Sequence, residues 1–472
     1  VSAGNTAQSE GGSKWVADYL TGVFQAQPKN PPMAYVAVTP QQLEEVKEML
    51  RARASNAKEA EQWISKLRVS SAGTFNWQQD YFVVGHNPRT GQPVLREVGG
   101  YNNSGFRSAD HFPKLAQDFQ RDCSNVDVGP RLTNSEFVGG MSGGNISAAG
   151  GLCLVGDDHF SGGRGGAQWQ GYAKQVCGSL DNAVAPPSRF LAVGHTDEFY
   201  KTIPDPTKPP PCNFAIALAS PRKALELLRQ SGSDKALAAD EVDPQDLEKS
   251  NSLAVYRELC DRYEVFKSKN PDEDGGSPTK GQSYWLLPAI LRPAFASLII
   301  ENSGKNDEEG SPEIPSSTEA QGTSEAEKPK PPVDCMNMTN RELADMIEKD
   351  DDWGPLNKEI QIEMDKFRDE LLAKYKEKYG CTPDVIEVPG VFRGAGNFDN
   401  AGALSIFPNL TNGEYINGKY LAPNSVNKAF GNDFKNQLAK RGISTKSIDT
   451  AFAHRTQGNL HCSTHAVRYC RP

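Results

Sequence analysis

Four short segments of this chain place polar side chains where apolar ones would be expected, and their types could do chemistry together. The last of them is GNLHCSTHAVRYC, residues 458–470, which sets Cys462 between His461 and Ser463. A cysteine acts as a nucleophile through its thiolate, and a nearby cation favours that form. Residues 191–200 read LAVGHTDEFY. On a strand His195 and Asp197 would share a face, presenting an imidazole and a carboxylate to one pocket. FNWQQDYFVV holds Asp80 among aromatic rings. A carboxylate there needs a partner, or else caps a helix or turn. The Gly-rich run FVGGMSGGNISAAGG, residues 137–151, contains Asn145. It allows close backbone approach, as a turn or as a ligand site, but it lacks the G-K-[ST] ending of a phosphate loop. By type alone, Cys and His also suit a peptide-bond hydrolase, although papain-type motifs are absent. A zinc site at Cys462, His461 and His465 is not expected, because the spacing matches no C-x-x-C…H-x-x-x-H pattern.

The whole chain bounds these readings. It has 472 residues, 37 % hydrophobic and 24 % charged, with mean hydropathy −0.58. That is enough to bury a sizeable core. The net charge is −9 and no basic stripe stands out, so nucleic acid is not an expected partner. The most apolar stretch, residues 283–300, is interrupted by two prolines and Arg292, so no membrane span is expected. Nine cysteines leave eight for disulfides if one reacts, without indicating their pairing. Together with Val1 as first residue and N-x-[ST] sequons at Asn102, Asn145, Asn337 and Asn409, they suggest a secreted, disulfide-bonded glycoprotein.

The elements that must position these residues alternate. AYVAVTP (34–40) reads as a strand, and the amphipathic run after it as one long helix to residue 67. FAIALASP (214–221) reads as a strand followed by the helix RKALELLRQ. A helix closes at Gly380, a plausible C-cap, before the strand DVIEVPGVF (384–392). KNQLAKRGI reads as a short helix and IDTAFAH (448–454) as a strand. This is an α/β pattern of separate β-β-α-β modules rather than one long parallel sheet. Residues 1–14 read as a flexible N-terminus. The body, 15–472, is interrupted by an insertion at about 232–335, with helix expected around 252–267. Within it, 302–333 is rich in Ser, Glu, Pro and Gly and reads as a disordered linker.

Taken in order, these words resemble the catalytic domain of the protein-arginine deiminase family. WQQD resembles its W-x-Q-D, VGHTDEF its V-G-H-V-D-E-F, and LHCST its V-H-C-G-T. FAIALASPRKALELL, DVIEVPGVF and SIFPNLTNGEYINGKYLAP resemble further sections, so the likeness runs from about residue 30 to 470. It implies a five-bladed α/β propeller (the pentein, guanidino-group-modifying fold) built of β-β-α-β modules. It implies Cys462 as nucleophile, His195 as general acid and base, and Asp80 with Asp197 gripping a guanidinium. Arg107 would bind substrate backbone, Trp77 would be a pocket wall or packing residue, and Asn145 would also contact substrate.

The implied reaction converts arginine residues of proteins or peptides to citrulline with release of ammonia, through a covalent thiouronium on Cys462. It requires no cofactor, with calcium left possible. Relatives that use calcium carry carboxylates where this chain has Val83 and Ser147, so the calcium site beside the active site looks degraded. The competing readings are a deiminase of free arginine or agmatine, which Arg107 argues against, and a non-catalytic binding module of the same fold.

Overall fold

In a computed structural model of the chain, a short parallel β-α-β unit comes first and a β-β-α-β unit then recurs four times. The residues described are 12–70, 82–87, 89–98, 111–130, 132, 143–157, 166–192, 194–238, 255–269, 335–394, 402–455 and 458–464. Trp77, Asp80, Arg107, Asn102, the apolar stretch 283–300 and the linker 302–333 lie outside them.

The first unit opens with α1 (Gly12–Ala26), then β1 (Ala34–Val36), α2 (Pro40–Arg53), α3 (Ala57–Ser65) and β2 (Leu67–Val69), with β1 and β2 parallel. In the second, β3 (Phe82–His86) and β4 (Pro93–Glu97) are antiparallel, and α4 (His111–Asp122) returns the chain to β5 (Asp127–Val128), parallel to β4. The third repeats this with β6 (Ile146–Ala149), β7 (Leu152–Val155), α5 (Ala167–Cys177) and β8 (Ala183–Val184).

The fourth has β9 (Tyr200–Pro204) and β10 (Phe214–Ser220) followed by four helices: α6 (Pro221–Gln230), α7 (Val255–Lys269), α8 (Asn340–Lys349) and α9 (Trp353–Tyr379). It closes with β11 (Asp384–Pro389), parallel to β10. A two-stranded pair, β12 (Phe392–Arg393) and β13 (Leu404–Ser405), leads to the fifth unit. That unit is β14 (Glu414–Ile416), β15 (Lys419–Pro423), α10 (Lys428–Ala439) and β16 (Ser444–Ile448), after which comes α11 (Ala451–Arg455).

Consecutive units share apolar cores. Tyr35 of the first packs on Phe119 of the second, ring centroids 4.7 Å apart. Val98 and Leu132 of the second join Val155 and Trp169 of the third. Leu152 and Leu154 join Ile216 and Leu218 of the fourth, under α9. Ala215 and Ile386 join Tyr420 and Phe430 of the fifth. Leu421 and Ile448 of the fifth return to Trp15, Val36 and Leu67 of the first. All seven residues of β10 are buried, as a continuous apolar run between two covered faces requires.

Three sequence expectations are corrected by local capping. The strand expected over 34–40 stops at Val36, because Thr39 and Gln42 form a capping box that starts α2 at Pro40. The single helix expected after it is two helices, because the Asn56 side chain accepts from the Glu59 N–H and starts a second one. IDTAFAH is a strand only to Ile448. Asp449 then accepts from the Ala451 N–H, the His454 N–H reaches Thr450 O, and the chain turns helical.

The helix ending at Gly380 is observed, with Gly380 at φ +70°, and the helix expected inside the insertion is α7. Disulfides join Cys153–Cys177, Cys212–Cys381 and Cys260–Cys335, the last tying α7 to the turn before α8. Cys123 is also disulfide-bonded. Asn145 and Asn409 are buried in the fold, so two of the sequons are closed to a glycan, whereas Asn337 is exposed. No helix among the described residues is long and apolar enough to cross a membrane.

Candidate active site

The segments that enter the first strands of the fourth and fifth units meet at the sulfur of Cys462, and the segment that enters the third packs against the fourth's. Ahead of β9 the chain makes a 3-10 turn, Thr196–Glu198, with His195 at its start. This replaces the strand expected for His195 and Asp197. They converge nonetheless: a nitrogen of His195, an oxygen of Asp197 and Cys462 Sγ all lie within 4.8 Å of one another. All three residues are buried, and Cys462 is the free cysteine among those described.

Because the turn is 3-10 and not extended, Glu198 also swings inward. Its Oε1 lies 3.1 Å from Cys462 Sγ, and Asp197 Oδ2 lies 3.5 Å from it. Ahead of β6, the 3-10 turn Gly143–Asn145 lies against this turn, and Thr196 donates to Gly144 O at 3.1 Å. A Cβ on Gly144 would stand 2.6 Å from His195 Nδ1, so only glycine leaves room for the imidazole. Asn145, one residue on, is buried with its Oδ1 over Gly156 and beside Ser188, where it fills the space a Cβ on Gly156 would take.

Ahead of β14, Asn412 donates to Cys462 Sγ at 3.1 Å and to Glu198 Oε1 at 3.2 Å. His461, beside Cys462, binds Asp197 Oδ2 through Nδ1 at 2.9 Å and faces Glu414 Oε2 through Nε2 at 3.4 Å. Lys201 on β9 completes this chain, 3.4 Å from the same Glu414 oxygen.

Burial pushes the Cys462 thiol well above its ordinary range, and the Asp197 and Glu198 carboxylates beside it push the same way. Burial and the Asp197 charge raise Glu198 to about 8. Burial also works against ionised Asp197, but the hydrogen bond from His461 and the fields of His461, His195 and Lys201 hold it below the usual carboxylate range. Together these effects favour a thiol at Cys462, a carboxylic acid at Glu198 and a carboxylate at Asp197. A bound cation would favour the ionised form of all three.

The set His195, Asp197 and Cys462 is the one group of metal-type donors among the described residues. Calcium takes oxygen ligands, so this mixed set does not suit it.

The sequence reading singled out Cys462, His195 and Asp197, and these three lie beside one another; Trp77, Asp80 and Arg107 fall outside the described residues. It assigned no role to Glu198, His461, Asn412, Glu414 or Lys201. The signal was present for two of them: Glu198 adjoins Asp197 in VGHTDEF, and Asn412 ends the motif SIFPNLTN.

No family model matches the chain, and no curated relative matches it. Among solved structures it is similar to one provisionally named a peptidyl-arginine deiminase, with 9 % identity, TM-score 0.48, and 97 % of this chain and 90 % of that one covered. Agmatine deiminase of C. jejuni gives 12 % identity, TM-score 0.42, and 95 % and 84 % covered. Agmatine deiminase of Enterococcus faecalis gives 13 %, 0.42, and 96 % and 87 %. Likenesses of that size are too distant to carry a function.

Proposed function

We propose that this chain hydrolyses the guanidinium group of arginine residues in proteins or peptides to citrulline, releasing ammonia. The observation that carries the reading is the contact of one buried free thiol with two adjoining buried carboxyl groups, beside a buried imidazole. A thiol and an imidazole alone would serve a peptide-bond hydrolase. Carboxyl groups packed against the sulfur would only hinder that chemistry by raising the thiol. A guanidinium is a planar cation with five N–H donors, and carboxylates are what it binds.

In this reading the cation enters beside Asp197 and favours the thiolate. The thiol proton passes to His195, the Cys462 sulfur attacks the central carbon, and His195 then donates that proton to the ammonia that leaves. A thiouronium remains on Cys462. His195, now neutral, takes a proton from water, whose oxygen attacks the same carbon. The carbon–sulfur bond breaks, citrulline departs and the thiol is restored. No step calls for a cofactor.

Asp80 is assigned to the second grip on the cation. In sequence it stands two residues before β3. The residues at the same offset before β6, β9 and β14 are Gly144, Glu198 and Asn412, and each touches His195 or Cys462. Five units whose cores join in a cycle support a five-bladed propeller around this site. Arg107 as a backbone-binding residue, with Trp77, supports a polymeric substrate.

We further propose that calcium is not needed beside the site. Val83 packs with an apolar cluster and Ser147 stands on β6, so neither supplies the carboxylate a calcium ion would want. The disulfides suit an oxidising compartment, in keeping with a secreted protein.

The test is ammonia and citrulline release from a blocked arginine amide, from free arginine and from agmatine, with and without a chelator. Turnover of the blocked amide, unchanged by chelator and lost in Cys462→Ala, is the expected result. Turnover of the free compounds alone would move the substrate to the small-molecule class, and a chelator-sensitive rate would overturn the calcium reading.

A further inference from the structure

We propose that Asn412 is a positioning residue of this reaction, fixing the nucleophile from two sides with one side-chain amide; the role rests on the deiminase reading given above. The Oδ1 side accepts from the backbone N–H groups of His461 at 2.8 Å and of Cys462 at 3.3 Å. The Asn412 backbone carbonyl also accepts from the His461 N–H at 3.0 Å. These contacts set where the Cα of Cys462 sits. The Nδ2 side donates to Cys462 Sγ at 3.1 Å, to Glu198 Oε1 at 3.2 Å and to Asp197 O at 3.2 Å. These set where the sulfur points and hold the two acidic residues beside it.

Asn412 has little freedom to do otherwise. It is fully buried. Its N–H bonds Asn409 O, and the neighbouring Thr411 hydroxyl donates to Asn409 Oδ1 and to Glu198 O. The Tyr420 hydroxyl pins the same turn at Leu410 O and Thr411 O. A Cβ on the next residue, Gly413, would lie 2.5 Å from Leu421 O, so the turn can approach β15 only with glycine there. A side chain locked by such contacts is what a reacting group requires of its support.

The amide is also neutral, whereas Asp197, Glu198 and His195 near the sulfur each bear a charge in one of their states. A thiolate formed beside Asp197 and Glu198 is opposed by both. An N–H donor aimed at the sulfur favours the thiolate without adding a charge that the incoming guanidinium would have to meet. A lysine there would stabilise the thiolate more and repel the cation.

The two sides of the amide can be separated. Asn412→Asp keeps Oδ1 and its backbone contacts but puts an oxygen where Nδ2 was. Asn412→Ala removes both. The readouts are kcat and KM on a blocked arginine amide, the rate of Cys462 alkylation by iodoacetamide, and circular dichroism with thermal melting. We expect folded Asn412→Asp to lose kcat by about 100-fold or more with KM within about threefold, and alkylation to slow about tenfold, since a misplaced reacting atom costs about that much. Wild-type alkylation and kcat in folded Asn412→Asp would overturn the proposal, leaving only a scaffold role for Oδ1. Failure of both variants to fold would overturn it too, by making Asn412 structural. If the wild-type protein deiminates nothing, the deiminase reading fails, while the alkylation contrast still decides whether Asn412 positions the sulfur.

Discussion

Two turns occupy the same place in successive units and do opposite work. The turn before β9 delivers His195, Asp197 and Glu198, groups that gain or lose protons. The turn before β14 delivers Asn409, Thr411 and Asn412, groups that only donate and accept hydrogen bonds. Both are buried, and each is tied to the other through Thr411 to Glu198 and Asn412 to Asp197. Cys462, sited between them, has ionisable groups on one side and fixed dipoles on the other. Buried charges by themselves would repel one another and lose their geometry. Neutral amides can hold them in place without adding to that repulsion.

The largest test of this division is Cys462, the nucleophile of the proposed reaction. Cys462→Ala should reduce deimination to background, a loss on the order of 10⁶-fold for a lone nucleophile, measured as citrulline release with folding checked by circular dichroism. Asp197→Asn should come next. It removes the charge that binds the cation while keeping the size of the side chain, so kcat/KM should fall by about 10³-fold, as loss of a charge-assisted partner in a buried site predicts. If that variant kept its rate, the charged turn would not be the reacting one.

A smaller effect is expected from Gly144→Ala, which changes no polar group. The added Cβ would meet His195 Nδ1 at 2.6 Å and push the imidazole aside. A displacement of that kind should cost roughly 10–100-fold in kcat with little change in melting temperature. An unchanged rate would mean that His195 has room it does not need.

The smallest effect concerns stability and carries a definite sign. Folded Glu198 is raised from 4.5 to about 8, so it holds its proton across that window. Its contribution to stability is complete below about 4.5 and is lost as pH rises through 8. Glu198→Gln removes that loss. Denaturant titrations should find the variant equal to wild type at the acid end and more stable by about 1–3 kcal/mol above pH 8, the usual cost of an ill-solvated buried group. A difference that does not vary with pH would show that Glu198 is not the group titrating.

Much of the architecture was legible along the chain. Alternating patterns implied β-α modules, and the capping signals at Thr39, Asn56 and Gly380 were there to be read. The segment 448–454 shows where pattern fails: its apolar spacing fits both periods over a short run, and Asp449 decides the outcome by capping a helix. His195 and Asp197 were paired for a reason that does not hold, strand alternation, and still proved to be neighbours because a 3-10 turn brings both to the sulfur. The same turn brings Glu198 inward, which strand alternation would have sent to the other face.

By itself the sequence determined the reacting types, a cysteine near the C-terminus with an imidazole and a carboxylate in one short word, and the modular α/β pattern around them. Those follow from side-chain chemistry and local periodicity, which a linear chain displays. Only the tertiary structure decided which neutral groups hold the sulfur, which carboxyl keeps its proton, and which partner steadies Asp197. Each of these depends on residues far apart in the chain and on removal from water, and neither distance nor desolvation is written in the order of the residues.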